Sequence, residues 1–287
     1  MRSALFAFAL LLTACSDTPA TATDTPAPVR DNYAAFGDVL AHHQRMSERV
    51  ARISRALRVA NAPLCTVTRP DAGLSTHSLS DYPPELRPLA LHFMDLGEEG
   101  RYVRSVVPGS PGDVADVRKG ERIVSGYPVT DRAPLVLDAG DGPFPVALEA
   151  EDACHIPTFV INSDQPNAGT DGREIDLSSA LITQVGDDSA LAFIIAHEMA
   201  HVLRGHDTES PSWEIEMQAD ADALLLMRNA GFDVAGTVAG WEAGVEAHRA
   251  SQAVSTTHPP IDIRLKNLEA ALARLNRSDT AFLPLSD

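Results

Sequence analysis

The chain is short of positive charge, with 23 Lys and Arg against 40 Asp and Glu in 287 residues and a formal net charge of −17. That balance excludes roles that need a broad basic surface, because the summed field repels nucleic acid and anionic lipid alike. Cysteine is scarce too: there are three, and none lies in the C-x-x-C spacing of a thiolate metal site. Long apolar runs are missing, since the stretch from Ala4 to Leu12 is too short to span a bilayer. No internal repeat occurs. The hydrophobic fraction of 44% is ordinary for a packed core, so disorder throughout is excluded, and the length suits one large or two modest domains.

Met1-Arg2 followed by the run to Leu12 has the anatomy of a secretory signal. Leu12-Thr13-Ala14-Cys15 resembles a bacterial lipobox, which implies a signal peptide over 1–14, lipidation of Cys15, and attachment to a membrane through that anchor. The expected location is the cell envelope, facing the periplasm, with Ser16 favouring the outer over the inner membrane. Residues 15–30 are mostly Thr, Pro, Ala and Asp, which bury too little to fold and read as a flexible linker. Once Cys15 is acylated, Cys65 and Cys154 form an even pair in an oxidising compartment. They are either a disulfide or two separate buried thiols.

From Asp31, Phe36, Val39, Leu40, His43, Met46, Val50, Ile53 and Leu57 recur at helical spacing, which predicts a long amphipathic helix ending near Asn61-Ala62-Pro63. His42 and His43 on it read as surface and flank residues. Residues 31–87 form the N-terminal part of one domain. Residues 88–150 change to short β-like runs broken by Gly and Pro, clearest at Tyr102 to Val107 and Arg122 to Ser125. Within them Val106-Val107-Pro108-Gly109-Ser110-Pro111-Gly112, followed by Gly120 to Val124, resembles the central stretch of a bacterial PDZ domain. The stretch from Thr130 to Phe144 leaves little room for the helix of a complete PDZ groove. The insertion is thus either a trimmed PDZ-like unit or a structural β element. In 151–276 a turn-rich segment, Ser163 to Gly172, leads into a strand at Glu174 to Leu177. Four helices are then expected: one capped by Asp187 or Asp188 and ended by Gly205, one opened by Ser210-Pro211 and running to about Ala230, one over Val234 to Ala250, and one after Pro259-Pro260 to about Leu275. Residues 277–287 read as a C-terminal tail.

His197-Glu198-Met199-Ala200-His201 lies in the middle of a strongly apolar helix, an expensive place for three ionisable side chains unless something charged binds them. Histidines at i and i+4 share a helix face, so both can reach one Zn2+ at about 2.0–2.1 Å, with Glu198 beside the position of a bound water. A catalytic zinc needs a third protein ligand and an open corner. Glu216-Met217-Gln218-Ala219-Asp220 offers two carboxylates on one face, Glu216 for the metal and Asp220 for the outer nitrogen of a ligand histidine, His197 first. The plain alternative is a solvated acidic face made by Glu214, Glu216, Asp220 and Asp222. His206 reads as a helix-end residue rather than a fourth ligand, because a closed site could not activate water.

H-E-x-x-H, E-x-x-A-D about fifteen residues later, and Ser255-Thr256-Thr257-His258-Pro259-Pro260 leading to Arg264 together resemble the Oma-type and HtpX-type zinc metallopeptidases, peptidase family M forty-eight. Asn61-Ala62-Pro63-Leu64-Cys65, Pro166-Asn167-Ala168 and the strand at Glu174 to Leu177 fit soluble envelope members of that family. The resemblance implies an α+β fold: a mainly helical, zincin-like gluzincin domain with a small sheet, interrupted by the PDZ-like insertion. It implies one zinc per chain held by His197, His201 and Glu216, with Glu198 as the catalytic acid and base. His258 and Arg264 are the candidates for stabilising the oxyanion. The expected activity is zinc-dependent endopeptidase cleavage of polypeptides, unfolded or misassembled envelope proteins, paired along the Glu174 to Leu177 strand as an edge. A zinc-holding chaperone or adaptor with little turnover, and a PDZ-like peptide-binding module on a zinc scaffold, are the alternatives. No nucleic acid partner is expected, and the oligomeric state is left open.

Overall fold

The structure, a computed structural model, describes residues 30–130, 133–206, 212–251, 259–277 and 285, the backbone alone over 30–36 and 243–251. The signal peptide, Cys15, nearly all of the 15–30 linker, Ser210-Pro211, His258 with its Ser255 to Thr257 lead-in, and nearly all of the 277–287 tail lie outside the described residues. Among the described residues, no helix is long and apolar enough to cross a membrane.

Helix α1 (Arg30–Ala60) buries Met46, Val50, Ile53 and Leu57, spaced four, three and four apart so that they form one stripe on the main core. Val39, counted with that face in the sequence, is 63% exposed, because the main core begins only at Met46. The helix ends at Asn61, which is fully buried and donates from Nδ2 to the carbonyls of Leu57 (2.9 Å) and Leu226 (3.0 Å). A buried amide satisfied in this way ties the helix end to a distant part of the chain.

After a single 3-10 turn at Ala62–Leu64 come β1 (Thr68–Asp71), β2 (Leu74–His77), α2 (Arg87–Phe93), β3 (Arg101–Val106), α3 (Pro111–Val114), β4 (Arg122–Ser125), β5 (Leu135–Asp138), β6 (Pro143–Val146) and β7 (Glu151–Cys154). Strands β2 to β6 form one antiparallel sheet in chain order, with Val103, Val117, Leu135, Leu137 and Val146 as its core. This sheet already includes Leu74–His77, ahead of residue 88, where the sequence placed the start of the insertion. The stretch after Thr130 makes the β5–β6 hairpin, with Leu135 opposite Val146 and Leu137 opposite Phe144.

Strand β1 pairs antiparallel with β7, Thr68 opposite Cys154 and Asp71 opposite Glu151, so the chain enters and leaves the five-stranded sheet through one two-stranded stem. Cys65 and Cys154 are bonded at its foot, with Cα atoms 5.5 Å apart. Charge locks the stem to α1: Asp71 takes Arg55 Nε at 3.0 Å and Arg58 Nη2 at 2.7 Å, and Arg55 also pairs with Glu151. Farther along, Arg104 Nε donates to Gln44 Oε1 at 2.9 Å, joining the sheet to the same helix.

Next come β8 (Thr158–Ile161), β9 (Ala168–Thr170) and β10 (Ile175–Ser178), then α4 (Ser179–Gln184), α5 (Asp188–Arg204), α6 (Trp213–Asn229), α7 (Val234–Ser251) and α8 (Ile261–Leu275). The three strands lie in the order β8-β10-β9, β10 being parallel to β8 and antiparallel to β9. The Glu174 to Leu177 strand is therefore central and not an edge: backbone groups expected to be open are paired on both sides. The strand that covers it, β9, comes from the segment read as turns. Its Ala-Gly-Thr sequence carries one strand-favouring residue, Thr170, too little to announce a strand, and the pairing comes from its neighbour.

The helix signals map closely onto structure. Asp187 Oδ1 accepts from the Ala190 N–H at 2.8 Å at the start of α5, and Gly205 closes it with φ 63, a left-handed conformation that favours glycine. Ser212 Oγ caps α6. Helices α5 and α6 pack on each other, and α8 packs across α6 and α7, with α1 and the three-stranded sheet completing the core. The chain is thus mixed α+β, with its helices concentrated after residue 178.

Candidate metal centre

Helix α5 is buried on most of its circumference, with Leu191, Ala192, Phe193, Ile195, Ala196, Met199 and Ala200 all in the core. His197 and His201 sit in that apolar setting, and Glu216 reaches them from α6, itself only 4% exposed. The distances are 3.1 Å between the two histidine Nε2 atoms, 3.4 Å from His197 Nε2 to Glu216 Oε2, and 3.7 Å from His201 Nε2 to Glu216 Oε1.

Three donor atoms bound at about 2.0–2.1 Å in tetrahedral geometry stand roughly 3.3–3.4 Å apart. The observed edges bracket that value, and the donor set, two imidazoles and one carboxylate, is one that zinc accepts with a fourth corner free. The residues fit a metal ion. Among the described residues this is the one group of three or more His, Cys, Asp or Glu side chains so arranged. The acidic-face alternative fails here: Glu214 is exposed, but Glu216, Asp220 and Asp222 are buried.

Each histidine is backed by a different partner. His197 Nδ1 lies 3.0 Å from Asp220 Oδ1, and Asp220, with no exposed side-chain surface, is held from behind by Arg264, Nε at 2.8 Å and Nη2 at 2.6 Å. The Arg264 guanidinium stacks over the Trp241 ring, 4.7 Å from its centroid, and Trp241 meets Phe193 edge to face at 5.3 Å. His201 Nδ1 instead lies 3.0 Å from His206 Nδ1, and His206 Nε2 is 3.1 Å from Gln218 Oε1. His206 thus touches the outer nitrogen of His201 and is turned away from the point where the Nε2 atoms converge.

Electrostatics follow from this packing. Burial acts to lower the His197 pKa, but the Asp220 and Glu216 side chains outweigh it and hold the imidazole up to about 9. Burial pushes the Glu198 carboxyl up; the positive charge of His197 opposes this, Glu216 adds to it, and Arg264 opposes it. Burial also acts to raise Asp220, yet Arg264 and His197 together draw it below the usual carboxylate range. Such a pattern keeps Asp220 ionised and makes Glu198 the more basic carboxylate, as acid–base work near neutrality requires.

Four of the sequence-derived residues, His197, His201, Glu216 and Asp220, are brought together, and Glu198 lies close enough to feel two of them. Arg264 is packed behind the site, with two of its nitrogens committed to Asp220, which faces the outer nitrogen of His197. His258 lies outside the described residues. Sequence reasoning missed the Arg204–Asp222 pair that clamps α5 to α6, at 2.8 and 3.2 Å, and the His206–Gln218 contact. The first could be suspected from basic and acidic residues in neighbouring helices; the second has no local signal.

Residues 165–283 match the family described as Peptidase U49, a stretch that holds both metal-facing helices and α8. That match supports a proteolytic function. No curated protein matches the chain.

Proposed function

We propose that the chain is a zinc-dependent endopeptidase of the bacterial cell envelope, with a zincin-like core akin to the Oma-type and HtpX-type peptidases and one zinc per chain held by His197, His201 and Glu216. The observation that carries this is the spacing of the three donor atoms, 3.1 to 3.7 Å, in a buried site beside a carboxyl whose pKa is raised.

Zinc held by His197, His201 and Glu216 would supply Lewis acidity for activating a water and polarising a substrate carbonyl. The protein does the rest. Glu198 accepts the proton of the attacking water and delivers it to the nitrogen of the departing amine, a task suited to a carboxyl lifted by burial. Asp220 orients His197 through Nδ1, and Arg264 keeps Asp220 charged and fixed. The apolar wall of Phe193 and Trp241 limits water around the buried side of the site.

The substrate is an extended polypeptide. With β10 enclosed, the available edge next to α5 is β9, whose outer backbone groups can take a strand by hydrogen bonding. A peptide held as a strand favours unfolded or misassembled proteins. The envelope setting rests on the signal-like residues 1–14 and Cys15, and the Cys65–Cys154 bond accords with an oxidising compartment.

The test is zinc analysis of the full chain together with hydrolysis of an unfolded protein. One zinc per chain, lost in His201→Ala, and cleavage abolished in Glu198→Gln are the expected results. Biological activity that survives Glu198→Gln would point instead to a zinc-holding chaperone or adaptor.

A further inference from the structure

The two metal-facing histidines are backed by different chemistry. His197 has Asp220, reinforced by Arg264. His201 has another imidazole: its Nδ1 stands 3.0 Å from His206 Nδ1, with the rings nearly perpendicular at 72°. Two imidazole nitrogens at that distance share one hydrogen, so one donates and the other offers a lone pair. A metal-binding His201 uses its Nε2 lone pair, and its Nδ1 must then carry the N–H. His206 Nδ1 is consequently the acceptor, and its own hydrogen sits on Nε2. Gln218 Oε1 lies 3.1 Å from that Nε2, where a carbonyl oxygen is needed to accept it.

From this geometry we infer that His206 is the positioning residue for the second zinc ligand, and that Gln218 selects the tautomer that lets it serve. The inference rests on the zinc reading above and deepens it. The relay Gln218–His206–His201 runs from α6 across the end of α5 and back to the site. It therefore couples the aim of His201 to the same helix that supplies Glu216. His206 follows Gly205, whose left-handed φ of 63 turns the chain out of α5 and folds the ring back over the helix end; the His206 N–H also bonds the His201 carbonyl at 3.0 Å. A helix-capping residue would need only that backbone bond. The paired ring nitrogens at both ends of the imidazole are what a ligand-orienting role requires.

Isosteric substitutions separate the two roles. Asparagine at 206 puts a side-chain oxygen near the place of Nδ1 and keeps the acceptor for His201. Glutamine puts its amide near the place of Nε2, keeps the contact to Gln218 and abandons His201. Zinc affinity of the full chain is measured by chelator competition at one fixed pH. His206→Gln and His206→Ala should weaken it by about 10–100-fold, whereas His206→Asn stays within about threefold of the parent. Gln218→Leu, an exposed change that leaves the helix end intact, should weaken zinc severalfold. Equal affinities for His206→Asn and His206→Gln, whether both unchanged or both reduced, would overturn the inference, as would parent affinity in both His206→Gln and Gln218→Leu. Melting of each variant in chelator shows whether it folds, and Gln218→Leu decides if the changes at 206 do not. A parent chain that takes up no zinc would sink the metal reading itself, and this inference with it.

Discussion

Arg264 grips Asp220 through two parallel contacts of 2.8 and 2.6 Å, and Asp220 in turn faces the outer nitrogen of His197. Asp220 has no exposed side-chain surface and Arg264 is only partly exposed, so the two ions lie largely out of water, with His197 against the carboxylate and Trp241 beneath the guanidinium. Removing one partner of such a pair strands the other charge. Arg264→Met should therefore cost roughly 3–5 kcal/mol of folding stability, and the double change with Asp220→Asn should cost less than the single one. Urea unfolding of the parent and the two variants checks the order.

Zinc uptake should depend on pH with a defined sign. The His197 imidazole, held up to about 9 by Asp220 and Glu216 against its burial, must lose its proton before it can bind a metal. Affinity is expected to rise about tenfold per pH unit below that value and to level off above it. Chelator competition from pH 6 to pH 9.5 measures the slope; a flat profile would contradict the assignment.

Glu198→Gln keeps the size of the side chain and removes its proton-transfer capacity. Cleavage of an unfolded protein should fall by at least about 10²–10⁴-fold while zinc stoichiometry is retained. Initial rates with metal analysis on the same sample separate loss of chemistry from loss of metal.

The stem should respond to acid. Burial acts to raise the Asp71 carboxyl, but Arg58, the Gly73 N–H and Arg55 together hold it below the usual range. A group with a depressed folded pKa contributes stability above its unfolded value, about 3.9, and loses it as pH falls through the folded value. Asp71→Asn should be less stable at neutral pH and lose less stability below about pH 4 than the parent, as followed by unfolding midpoints from pH 3 to pH 6.

Reduction of the Cys65–Cys154 bond frees a loop of 89 residues in sequence separation. The expected loss is about 2–5 kcal/mol, larger than a small loop would give because more unfolded-state freedom is restored. Unfolding curves with and without reductant, compared with a Cys65→Ser/Cys154→Ser double variant, measure it.

What the sequence disclosed is what sits within one helix turn. His197 and His201 share a face because of their spacing, as do Glu216 and Asp220, and caps such as Asp187 and Gly205 announce helix ends through chemistry local to a few residues. What it withheld depends on neighbours distant along the chain. Arg264 lies 44 residues from Asp220, so its commitment could be read only from how α8 crosses α6. The order β8-β10-β9 was likewise hidden, because β9 offers a single strand-forming side chain, Thr170, and pairs where β10 offers an edge. The insertion boundary missed Leu74–His77 for the same reason: β2 belongs with β3, beyond a helix and several turns.

The antiparallel stem has an evolutionary corollary. Asp71 and Glu151 face each other across one ladder, so a tight turn of two or three residues could join them and omit everything between. A chain wired like this can gain, trade or shed a whole outboard module by a single exchange at one doorway, without re-registering any strand of the helical half.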